Sequence, residues 1–97
     1  MNPVKRLEIV VDELQSRRVT ELLDRRGLTG WTILRNVEGR GDRGDQLNDG
    51  ISPSTANVLI LTTCTPEQLD ALKEELRSLL RSFGGICLVS DAQWLLH

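Results

Sequence analysis

Gly30-Trp31-Thr32-Ile33-Leu34-Arg35-Asn36-Val37-Glu38-Gly39-Arg40-Gly41-Asp42-Arg43-Gly44 is the stretch that decides how this chain folds. It runs from a turn glycine through an apolar strand, Trp31 to Val37, into a loop dense in glycine and arginine. A Gly-x-Gly at a strand end lets backbone N–H groups approach an anion closely. Arg40 and Arg43 add fixed positive charge at the same spot, and the combination suits a phosphate. No regular pattern resumes until about Ser54. A loop of that length in a small domain is either functional or disordered.

The flanking segments supply the rest of the fold. Upstream, Leu7-Glu8-Ile9-Val10-Val11 reads as a β-branched strand. Ser16 is placed to cap the helix that follows, in which Val19, Leu22 and Leu23 fall on one face, and Gly27 is a natural stop. Downstream, Thr55 to Cys64 is the third strand, and its consecutive Val58, Leu59, Ile60 and Leu61 predict burial on both faces. Thr65-Pro66-Glu67-Gln68 is a capping box with proline at the first helical position. Leu69, Leu72, Leu76, Leu79, Leu80 and Phe83 make the apolar stripe of a second helix, ended by Gly84-Gly85. Ile86 to Val89 is the fourth strand, and the tail from Ser90 reads as a turn of helix or a fifth edge strand.

The order β-α-β-β-α-β is the ferredoxin-like split pattern, an α+β sandwich with two helices on one face of an antiparallel sheet. Residues 1–97 make a single domain, with the long loop at about 39–54. The strands carry apolar residues of both parities, and one layer of helices covers only one face. The other face calls for self-association.

Composition narrows the function. A net charge of −2 argues against broad nucleic-acid affinity. No apolar run approaches the roughly 18 residues of a membrane span, and Met1 to Arg6 is followed by no secretory h-region. The expected compartment is the cytoplasm. Cys64 and Cys87 lack CxxC spacing and read as buried thiols; with His97 they do not make up a structural zinc set. Asp42, Asp45, Asn48 and Asp49 depart from a calcium loop, because Leu47 stands at a ligand position and no glutamate follows before Glu67. The tandem Arg-Gly-Asp triplets at 40–42 and 43–45 would need secretion to act in adhesion. No acid/base pair suggests catalysis.

In element order over nearly its whole length, and in Gly30-Trp31-Thr32-Ile33 followed by Gly39-Arg40-Gly41 and Arg43, the chain resembles the PII superfamily of trimeric signalling proteins. The likeness is to the small PII-like branch linked to bicarbonate transporters (the SbtB type) and to carboxysomes. The resemblance implies a homotrimer whose clefts bind an adenine nucleotide, with bicarbonate as a further ligand. It also implies a flexible T-loop that docks to a membrane transporter or another partner of inorganic-carbon metabolism. Carried over residue by residue, it nominates Thr32, Gly39, Arg40, Gly41, Arg43, Thr63, Gly84, Gly85 and Ile86 as nucleotide-binding, with no catalytic residue and no metal.

The chain departs from the pattern in places. The span from Thr32 to Gly39 is slightly long, which implies a bulge. There is no tyrosine, so modification of a T-loop tyrosine is ruled out. No lysine or arginine follows Val89, so the C-terminal clamp on ATP phosphates is missing and ADP or AMP is the expected nucleotide. The alternatives are a trimeric metal-tolerance protein of the CutA kind, a small ferredoxin-like enzyme, or a passive oligomerisation module.

Overall fold

The computed structural model describes residues 1–39 and 56–97. Strand β1 spans Asn2–Asp12, and a single 3-10 turn over Glu13–Gln15 leads into helix α1, Ser16–Arg25. Strands β2 (Trp31–Val37) and β3 (Asn57–Cys64), helix α2 (Pro66–Phe83) and strand β4 (Ile86–Trp94) follow. The sheet order is β2-β3-β1-β4, with every neighbouring pair antiparallel. This is the expected ferredoxin-like arrangement.

The two strands of the β1–β4 pair are longer than their apolar runs suggest. β1 continues back to Asn2, so its polar start offers a ladder to the residues after Val89, and pairing runs on to Asn2 opposite Trp94. Lys5 lies opposite Asp91, and Lys5 Nζ donates to Asp91 Oδ1 at 2.6 Å. Such a cross-strand charge pair suits an exposed edge. The tail is thus neither a turn of helix nor a fifth strand but the second half of β4.

Alternation along the strands separates two faces. Leu7, Ile9 and Val11 of β1 and Val58 and Ile60 of β3 are fully buried against the helices. Val19, Leu22 and Leu23 of α1 and Leu72, Leu76, Leu80 and Phe83 of α2 complete that core. On the opposite face, Val10, Leu59 and Leu61 are only half-buried, shielded by neighbouring strands. Leu34, Ile86 and Leu88 lie 46%, 64% and 62% exposed. The expected double burial of β3 is therefore complete on the helix side and partial on the other. Arg6 and Glu8 pair on the open face beside these apolar side chains.

The helix ends are held by local chemistry. Asp12, not Ser16, begins the first helical segment: its Oδ1 accepts from Leu14 N at 2.9 Å, while Ser16 Oγ donates to the Glu13 carbonyl at 2.8 Å. The 3-10 turn moves the cap upstream of the expected site. At the far end Gly27 takes φ 80°, and the N–H groups of Gly27 and Leu28 donate to the carbonyls of Asp24 and Leu23, a Schellman closure with Leu28 buried behind it. The Thr65–Gln68 box forms as expected, and Gln68 Nε2 also donates to the Gly27 carbonyl at 3.0 Å. One side chain thus starts α2 and fixes it to the end of α1.

Candidate functional site

The nominated residues fall into two groups. The first surrounds β2. Thr32 is exposed on the open face opposite Leu61, and Thr63 is half-buried on the same face of the adjacent strand. Trp31 faces the helices, 41% exposed, and its Nε1 donates to Asp24 Oδ1 at 3.0 Å, so it braces β2 against α1 and is not a core residue. The buried Thr62 hydroxyl donates to the Gly30 carbonyl at 2.6 Å and fixes the turn before β2.

At the other end of β2 the register slips between Arg35 and Val37, with Asn36 at φ 59°. This is the bulge that the Thr32–Gly39 spacing implies; asparagine tolerates the left-handed conformation better than a branched residue does. Arg35 Nη1 donates to Glu13 Oε1 at 2.9 Å, and Glu13 N donates to the Ala56 carbonyl at 2.9 Å. The turn after β1 therefore touches both the strand that enters the 40–55 segment and the residue that leaves it. Gly39 is exposed, and a Cβ there would meet nothing within 4 Å among the described residues. Arg40, Gly41 and Arg43, and nearly all of the loop expected at about 39–54, lie outside the described residues.

The second group is the turn between α2 and β4. Gly84 ends α2 at φ 77°. A Cβ on Gly85 would lie 2.7 Å from Val11 Cγ1, 3.0 Å from Leu80 Cδ2 and 3.1 Å from the Val10 carbonyl oxygen, so close packing against β1 restricts this position to glycine. The N–H groups of both Gly84 and Gly85 donate to the carbonyl of Leu80. Those amides close the helix and point inward. Ile86 follows on the open face, opposite Val10.

β2 and β4 are the two edges of the sheet. Three strand spacings, roughly 14 Å, separate them. Thr32 and Gly39 on one edge and Gly84 to Ile86 on the other therefore do not form one pocket within a single copy.

A groove of about 340 Å³ runs between α2 and β4, floored by Leu76, Leu80, Cys87 and Val89 and ending at Gly85. Lys73, Arg77 and Arg81 line it at four-residue spacing along α2. These three are not among the residues nominated from the sequence; their spacing beside the Leu72, Leu76, Leu80 stripe was the available signal. Burial, with the nearby Cys64 thiol as the smaller cause, pushes the Cys87 thiol up to about 11, and burial raises Cys64 as well. Among the described residues no three His, Cys, Asp or Glu side chains group to hold a metal, and no helix is long and apolar enough to cross a membrane.

A split βαβ sandwich with a bulged second strand, a long connection to the third and a glycine pair ending the second helix defines a ferredoxin-like domain. The family described as nitrogen regulatory protein P-II matches residues 4–95, and the chain belongs to that family. It is similar to CPII of Thiomonas intermedia K12 in several solved forms. The form bound to ADP and bicarbonate is 30% identical, with a TM-score of 0.79 over 95% of this chain and 88% of that one. The form bound to ADP, AMP and acetate is 28% identical, with a TM-score of 0.80 over 96% and 89%. The apo form, described as a nitrogen regulatory PII-like protein, is 27% identical, with a TM-score of 0.78 over 95% and 91%. Among curated proteins none matches the chain. The chain is thus a PII-like regulatory protein.

Proposed function

We propose that this chain is a homotrimeric sensor of ADP or AMP, with bicarbonate as a second ligand, that acts by binding and not by catalysis. The observation that carries this reading is the placement of the nominated residues on opposite sheet edges. A second copy bringing its β2 edge beside β4 would join Thr32 and Gly39 of one subunit to Gly84 to Ile86 of the next. The exposed Leu34, Ile86 and Leu88 of the open face favour such an assembly. The ligands of CPII supply the chemical class. Arg40 and Arg43 are the proposed phosphate ligands on the loop side. In this reading the nucleotide state governs how the 39–54 loop meets a partner in inorganic-carbon uptake or carboxysome-linked metabolism, such as a bicarbonate transporter at the membrane.

Calorimetric titration with ADP, AMP and adenosine, combined with light scattering, tests the proposal. A trimer that binds ADP or AMP, and loses roughly ten- to a hundredfold in ADP affinity on Arg43→Ala, supports it. A monomer at micromolar concentration, or a chain indifferent to all three compounds, overturns it.

A further inference from the structure

The glycine pair at the start of β4 lies in the proposed nucleotide site, yet its amides are not available to a phosphate. Both N–H groups already donate to the Leu80 carbonyl, the Gly85 bond measuring 3.0 Å. Position 85 also admits no cationic side chain, since even a Cβ would lie 2.7 Å from Val11 and 3.1 Å from a backbone oxygen. Strand β4 itself carries no lysine or arginine. A phosphate on this side of the site therefore needs its counter-charge from elsewhere in the fold.

The cation nearest this turn in the groove comes from α2. Arg81 is in the last turn of the helix, three residues before Gly84, and lines the same groove as Gly85. Among the described residues it has no carboxylate partner. Its two cationic neighbours in the groove are occupied: Lys73 pairs with Asp70, and Arg77 with Glu74. Leu80 and Cys87, which flank Gly85, add apolar floor and little competing polarity. A guanidinium without a partner at the rim of an apolar groove is suited to a bidentate, charge-assisted bond to a phosphate oxygen pair.

We infer that Arg81 is the phosphate-binding cation on the β4 side of the site. The inference rests on the nucleotide reading above. It places the neutralising charge on a helix rather than on the C-terminal strand.

The test compares Arg81→Gln with the parent and with Arg17→Gln, an exposed arginine of α1, by calorimetry with ADP and with adenosine. The expected result is about a tenfold or greater loss of ADP affinity in Arg81→Gln, adenosine affinity within about twofold of the parent, and partial recovery of ADP binding in Arg81→Lys. Arg17→Gln is expected to bind both ligands as the parent does. If Arg81→Gln binds ADP as tightly as the parent, the assignment of Arg81 fails while the nucleotide reading stands. If it loses ADP and adenosine equally, its role is structural and the assignment also fails. If the parent binds neither ligand, the nucleotide reading fails and takes this inference with it.

Discussion

Glu13 accepts a hydrogen bond from Arg35 at 2.9 Å, across the gap between the turn that ends β1 and the bulged end of β2. The pair is exposed on both sides, so its Coulombic gain is screened. Its backbone partner, the Glu13 N–H to Ala56 bond, survives any change of side chain. Glu13→Gln is therefore expected to lower stability by under about 1 kcal/mol, less at high salt. Urea unfolding of parent and variant at two ionic strengths measures this.

The two sides of the candidate site differ sharply in tolerance to a methyl group. Gly85→Ala puts a Cβ against Val11, Leu80 and the Val10 carbonyl, and overpacking of this kind costs roughly 1–3 kcal/mol. Gly39→Ala meets nothing within 4 Å among the described residues and is expected to change stability by under about 0.5 kcal/mol. Thermal unfolding of the two variants should separate them by several degrees. Equal midpoints would contradict the packing of the α2–β4 turn.

Assembly through the open face depends on side chains that one copy leaves in water. Leu88 sits in β4 opposite Glu8, 62% exposed, on the same face as Ile86, Leu61 and Leu34. Leu88→Asp is expected to dissociate the proposed trimer without unfolding the subunit, because the position contributes nothing to the helix-side core. Light scattering would report a fall to monomer mass while circular dichroism stays unchanged. A variant that stays trimeric would show that this face is not the interface.

Cys87 should be a poor nucleophile in the folded protein. Its thiol is pushed up to about 11, chiefly by burial, so at pH 8 only about one molecule in a thousand carries the thiolate. Alkylation by iodoacetamide at pH 8 is expected to be slow in the native state and fast in urea. The linkage has a definite sign. The folded state holds the proton more tightly than the unfolded state, whose thiol titrates near 8.5. The associated stability is complete below that value and lost as pH rises through about 11. Cys87→Ala should remove that alkaline component from a plot of melting temperature against pH.

Much of the molecule could be read from the chain alone, because its signals act over a few residues. The Thr65–Gln68 box, the stop at Gly27 and the stripes Val19-Leu22-Leu23 and Leu72-Leu76-Leu80 depend on hydrogen bonds and periodicities within one or two turns of helix. The β2 boundaries and the bulge before Gly39 were legible for the same reason. The length of β4 was not. Ser90, Asp91 and Gln93 have no apolar alternation, and they join the strand only because β1 extends far enough to pair with them.

The sequence by itself determined the order of elements, the stop at Gly27, both ends of the second helix, the apolar stripes and, through Gly39-Arg40-Gly41 and its surroundings, the family. Only the tertiary structure decided that Thr32 and Ile86 stand on opposite edges of the sheet, since that follows from β1 and β3 pairing between them. It also decided that Gly85 fits against Val11 and that Arg81 lines the same groove. The physical reason is range. Caps and periodicity are fixed by neighbours along the chain, whereas edge position and steric fit depend on residues tens of positions away.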